Sequence, residues 1–149
     1  MLKQKLREEL KQSMLARDEL KTSVFRMVLS AINYYEIQKG GAGYEATDED
    51  VILVIQKEGK QHNDSIEQFK NAGRQELVDK ETKELEILKK YLPKQTSEEE
   101  IKKLVEETIS QTGAKSIQDM GKVMSALMPK LKGKADGGLV SKIVKEKLA

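Results

Sequence analysis

Catalysis needs an activated nucleophile, a tuned acid–base pair, a metal or a cofactor, and few of these 149 residues can supply one. There is a single histidine, His62, and no cysteine. The missing cysteines exclude a disulfide framework, a thiol nucleophile and a thiolate metal site. His62 falls on the apolar seam of a helical segment, where a buried, hydrogen-bonded or rim histidine is expected rather than a general base. One histidine also rules out HExxH and every other two-histidine zinc spacing. Glu81, Glu84 and Glu86 interleave with lysines at helical spacing and read as a solvated face. Gly41-Ala42-Gly43 with Ala46 loosely matches GxGxxA, but it follows a helix rather than a strand, so the dinucleotide reading fails on context. Gly133-Lys134 lacks the upstream spacing and the Ser/Thr of a P-loop. No catalytic residue, metal set or cofactor is expected.

The stretch that does ask for an explanation is GKVMSALMPKLKGKADGG, residues 121–138. Residues 115–134 hold five lysines against one aspartate, whereas residues 1–92 hold 16 basic and 17 acidic side chains. Lys130, Lys132 and Lys134 crowd a turn marked by Pro129 and Gly133, with Lys122 further back. Asp136 then caps a helix opening on Gly137 and Gly138, whose N–H groups no side chain crowds. Helix N-termini attract phosphate through such donors and the macrodipole, but the Asp136 carboxylate competes for the same donors. The corner reads equally as a solvated turn or as a polyanion site. Lysine favours phosphate over base edges, and residues 93–149 contain no arginine, so a contact there would position an RNA rather than read its sequence. Met120, Met124 and Met128 recur every four residues, which fits core filling or a groove for a partner helix.

These residues must be held by helices, because no alternating strand pattern appears anywhere. Leu2, Leu6, Leu10 and Met14 make the stripe of a first amphipathic helix. A second runs from about Asp18 or Thr22 to Lys39, with Val24, Phe25, Val28, Leu29, Ile32 and Tyr35 forming a wide central face. GGAG at 40–43 breaks it. Thr47 with Asp50 opens a third in the manner of a capping box, with the seam Ile52, Ile55, Gly59, His62, Ile66, Phe69, and Gly73 ends it. Glu76 to Leu92 forms a fourth, with Leu77, Leu85, Leu88 and Leu92 inward, stopped by Pro93. Ser97 with Glu100 opens a fifth, closed by Gly113. Ser116 with Asp119 opens a sixth with Ile117, Met120, Met124, Leu127 and Met128 inward, ended by Pro129 and Gly133. Asp136 caps a seventh. The expected fold is all-α: an N-terminal four-helix domain (1–93) followed by a small three-helix domain (94–149).

Composition agrees with that frame. Charged residues are 35% of the chain, yet the net charge is only +2, which suits a salt-bridge-laced helical protein better than a polybasic one. Aromatics are 4% with no tryptophan, so the core is aliphatic and few rings are left to stack on bases. No apolar run is long enough to span a membrane. MLKQKLREEL alternates charges and lacks a signal peptide's apolar region, so the cytoplasm is expected.

The sequence from Gly121 to Leu148, GKVMSALMPKLKGKADGGLVSKIVKEKL, resembles the helical tail domain of the B subunit of glutamine-dependent tRNA amidotransferases. RMVLSAI (26–32), DSIEQF (64–69), AGRQEL (72–77) and KYLP (90–93) are similar to the free-standing GatB/YqeY family, and the likeness covers nearly the whole chain. One departure is His62, in Lys60-Gln61-His62, where the family is expected to carry an arginine. The resemblance implies kinship with a tail that contacts the body of a tRNA. It does not imply catalysis, because glutamine hydrolysis and amide transfer belong to amidotransferase domains without counterpart here. A carbon–nitrogen ligase label with glutamine as amido donor would describe that complex.

Three functions stay in competition. One is a tRNA- or structured-RNA-binding accessory using Lys122, Lys130, Lys132, Lys134, Gly133, Gly137 and Gly138. Another is a module docking on an amidotransferase or an aminoacyl-tRNA synthetase through Met120, Met124 and Met128. The third is an enzyme acting on glutamine or an aminoacyl-tRNA, supported by kinship alone.

Overall fold

The computed structural model describes residues 1–149 as seven α-helices with no strand. The chain divides into two compact units, Met1–Leu92 and Pro93–Ala149.

The first unit contains α1 (Leu2–Leu15), α2 (Glu19–Gly40), α3 (Asp48–Asn71) and α4 (Gln75–Lys89). Asp18 caps α2 by accepting from the Lys21 N–H, and the chain reverses before it through Arg17 at φ 55°. The Thr47/Asp50 capping box opens α3 as the spacing predicts. Gly73 at φ 68° then turns α3 into α4, and the pairings Gly59–Leu85 and His62–Glu81 run antiparallel. The core is aliphatic apart from Phe25: Leu6 from α1, Val24, Phe25, Val28 and Ile32 from α2, Val51, Val54 and Ile55 from α3, and Ile87 and Leu88 from α4. α2 is therefore central, as its wide apolar face requires. Tyr91 closes the end of this core edge-on to Phe25, with ring centroids 5.8 Å apart.

The second unit contains α5 (Glu98–Thr112), α6 (Met120–Leu131) and α7 (Gly137–Leu148). Ser97 and Glu100 form the expected capping box, and Gly113 ends α5 in the left-handed region. Ile101, Val105, Val123, Leu127, Leu131, Val140, Ile143, Val144 and Leu148 make its core.

Several expectations need correcting. Met14 is half exposed (50%), because α1 ends one residue later and the stripe outruns the core. The fourth helix stops at Lys89; Tyr91 and Leu92 instead bond back three residues to Leu88 and Lys89, tightening the chain before Pro93. Ser116 and Asp119 do form a capping box, but it opens a 3₁₀ turn over Ile117–Asp119, and Ile117 is 47% exposed rather than inward. Pro129 does not end α6 but lies in its last turn, where its missing N–H forfeits only the bond to residue 125. Glu81 and Glu84 are not a solvated face: their side chains are 20% and 9% exposed, against His62.

No helix is long and apolar enough to cross a membrane.

Candidate nucleic-acid interface

The lysine corner is built by the end of α6, the turn 132–135 and the start of α7. Leu131 and Ala135 are buried on either side of the turn, anchoring it to the core. Gly133 makes the reversal at φ 75°, a conformation that costs an L-residue roughly 1–2 kcal/mol. The segment before α5 also clamps the turn. The Thr96 N–H donates to the Lys134 carbonyl at 2.8 Å, and Gln95 Nε2 donates to the carbonyls of Gly133 at 3.0 Å and Pro93 at 2.9 Å. The turn's backbone is thus held by packing and by hydrogen bonds while its lysines face solvent. Lys122, Lys130, Lys132 and Lys134 are all exposed, and the ammonium groups of Lys130 and Lys134 make no ion pair.

Two acids flank the segment, Asp119 just before α6 and Asp136 just before α7. The backbone N–H groups of Lys115 and Ser116 hold the Asp119 carboxyl below its ordinary value, with Lys122 and Lys115 adding to that effect. Asp136 accepts from the Gly138 N–H at 3.4 Å, so the first donors of α7 have a carboxylate beside them. A Cβ on Gly137 would meet Met128 Cε at 3.7 Å, an ordinary van der Waals contact. The chemistry this corner can offer an anion is therefore lysine ammonium charge on a rigid turn, more than open helix N–H groups.

The methionines are placed differently. Met120, Met124 and Met128 are each partly buried and packed against the second unit's core. Gly121 faces open space.

The first unit holds three buried polar centres that helical periodicity does not reveal. Asp50, 4% exposed, accepts from Tyr35 Oη (2.8 Å), Lys39 Nζ (2.7 Å), Tyr44 Oη (2.6 Å) and the Thr47 N–H (3.0 Å). Burial alone would push its carboxyl up, but Lys39, Tyr44, Thr47 and Tyr35 together hold it far below the usual carboxylate range. Asp50, helped by the two tyrosines, raises Lys39 in turn, and the ammonium also lies over the rings of Tyr35 and Tyr44. Glu36 is bridged by Lys3 Nζ at 2.6 and 2.8 Å and by the Ala46 N–H at 2.7 Å, and these bonds lower its carboxyl, Lys3 foremost. These two centres tie α1, α2 and the loop before α3 together and have no unmet need.

The third joins His62 to Glu81 and Glu84. His62 is buried on the α3 seam, as its position predicts. Its Nδ1 is hydrogen-bonded to Glu81 Oε2 and lies 3.6 Å from Glu84 Oε2. Sequence reading missed the two glutamates because the charge alternation of α4 hides which carboxylates face α3. The signal available was their spacing of three residues, which puts both on one face.

The family described as Yqey-like protein matches residues 3–148, almost the full length. The chain belongs to the YqeY-like family. Among curated proteins it is similar to "Altered inheritance of mitochondria protein 41, mitochondrial" of Saccharomyces cerevisiae strain S288c, at 34% identity over 119 residues, or 76% of this chain and 63% of the relative. The protein of the same name in Clavispora lusitaniae is 37% identical over 99 residues (65% and 56%). That of Pyrenophora tritici-repentis is 38% identical over 106 residues (67% and 56%). The matched region thus spans about three-fifths of the length of these relatives.

Proposed function

We propose that this YqeY-like protein is a non-catalytic accessory that binds tRNA or another structured RNA through Lys122, Lys130, Lys132 and Lys134, with Gly133, buried in the turn, setting its shape and Gly137 and Gly138 opening the helix beside it. The supporting observation is that Lys130, Lys132 and Lys134 are exposed at the end of α6 and on a turn whose backbone is fixed by Gln95 and Thr96, with Lys122 exposed near the start of α6. Preorganised charge loses less entropy on binding a phosphate backbone than charge on a floppy loop. With lysines and no arginine, such a contact holds phosphates and leaves bases unread. The amidotransferase-tail resemblance supplies the RNA class. It also accounts for a carbon–nitrogen ligase association with glutamine as amido donor, as a property of a complex rather than of this chain. The cytoplasm is the proposed compartment, although the curated relatives carry mitochondrial names.

Titration of isotope-labelled protein with unfractionated tRNA tests this directly. Amide resonances of residues 130–138 should move first and furthest. Shifts confined to the first unit, or none at all, would overturn the assignment.

A second reading has the methionine-lined α6 docking on an amidotransferase or an aminoacyl-tRNA synthetase. The partial exposure of Met120, Met124 and Met128 favours it; their packing against the unit's own core does not. Capture of such an enzyme that Met124→Lys abolishes without unfolding the protein would support it.

A further inference from the structure

The geometry points to a site for one divalent first-row cation, of which zinc is the type, held by His62 of α3 and Glu81 and Glu84 of α4. One ligand atom from each of the three residues lies within 4.8 Å of the other two. An imidazole nitrogen with two carboxylate oxygens is a ligand set that zinc and its neighbours accept, and three protein ligands leave a coordination position open.

Asp50 and Glu36 show how this fold treats a buried carboxylate, surrounding it with an ammonium and several donors. Glu84 is about as buried, 7% exposed, yet it receives no hydrogen bond. Its Oε2 lies 3.6 Å from His62 Nδ1. That nitrogen can make one such bond, and it is already hydrogen-bonded to Glu81. Two carboxylates therefore converge on one ring nitrogen that can bond only one of them. Around them, Lys80 is the cation that acts on Glu84, and Glu58, one turn before His62, is a further carboxyl that burial pushes up. Burial, with the Glu81 charge beside it, raises the Glu84 carboxyl too. A divalent cation among the three groups would give both carboxylates and the imidazole lone pair a partner at once.

Ligation through Nδ1 sends the ring proton to Nε2, which is buried with no hydrogen-bond partner. Ligating histidines usually give that proton to an acceptor, and lacking one weakens a site by roughly 10–100-fold. The site is assigned as a binding centre, with no reaction attached to it.

The experiment uses the full chain, stripped of metal with a chelator and titrated with Zn²⁺ by calorimetry. Parallel titration follows the His62 ring nitrogens by NMR, and Glu84→Gln and His62→Gln are run beside the wild type. The proposal expects one zinc per chain, displaced His62 ring resonances, and affinity weakened at least about tenfold in Glu84→Gln. Glu84→Gln keeps the side chain's shape and size, and the dispersion of its NMR spectrum reports whether the variant is folded. No saturable binding below about 1 mM zinc overturns the site. So does binding that both variants leave intact, which would put the metal on surface carboxylates. Zinc binding that leaves the His62 resonances in place overturns it whatever the variants do.

Discussion

The Thr96 N–H donates to the Lys134 carbonyl at 2.8 Å, so the segment entering α5 fixes the turn that carries the exposed lysines. Gln95 repeats the clamp one residue earlier through the Gly133 carbonyl. The lysine corner is consequently a backbone shape maintained by residues almost forty positions away.

Loosening that clamp should weaken RNA binding without touching a lysine. Gly133→Ala forces an L-residue to φ 75° and is expected to cost about 1–2 kcal/mol of stability, with faster amide exchange over 132–135. Gln95→Ala should cost less, about 0.5–1 kcal/mol, since Gln95 is exposed. Denaturant unfolding measures both. A Gly133→Ala protein as stable as the wild type would mean that the turn relaxes freely and the clamp does not matter.

Met124 separates core from groove. It is half-buried against the second unit's core, so Met124→Leu should change stability by less than about 1.5 kcal/mol. Met124→Lys should destabilise by about 1–2 kcal/mol, from the apolar area lost. Equal stability of the lysine variant and the wild type would return the methionine stripe to candidacy as a docking surface.

Asp50 governs the acid limb of stability. Its carboxyl is depressed in the folded state, mainly by Lys39 and Tyr44 working against burial. The resulting stability is fully present above the unfolded-chain value of about 3.9 and is lost as pH falls below it toward the much lower folded value. Asp50→Asn should therefore cost about 2–3 kcal/mol at pH 7, and its curve should approach the wild type's as pH is lowered to about 2. A stability gap between the two that stays constant from pH 7 to the acid end would contradict the assignment.

Most helix boundaries were legible because local chemistry writes them. Thr47 with Asp50, Ser97 with Glu100, Gly113 and Asp136 all act where their spacing predicts. Met14 and Ile117 misled because periodicity marks a face but not where the neighbouring helix stops covering it. The buried acids were invisible for a different reason. Glu36 meets Lys3 across 33 residues and Glu84 meets His62 across 22, and charged residues at helical spacing look alike whether they face water or another helix. The lysine corner was visible as composition, whereas its rigidity came from Gln95 and Thr96, which carry no signal of their own.

The most direct measurement of the central claim is tRNA affinity at 50 and 200 mM salt, for the wild type and for a variant with Lys130, Lys132 and Lys134 all changed to glutamine. Three to five phosphate contacts predict that wild-type affinity falls roughly 40- to 500-fold over that range, and that the variant binds weakly with a much shallower slope. Wild-type affinity indifferent to salt, or a variant that binds as tightly as the wild type, would contradict the account and leave the corner a solvated turn.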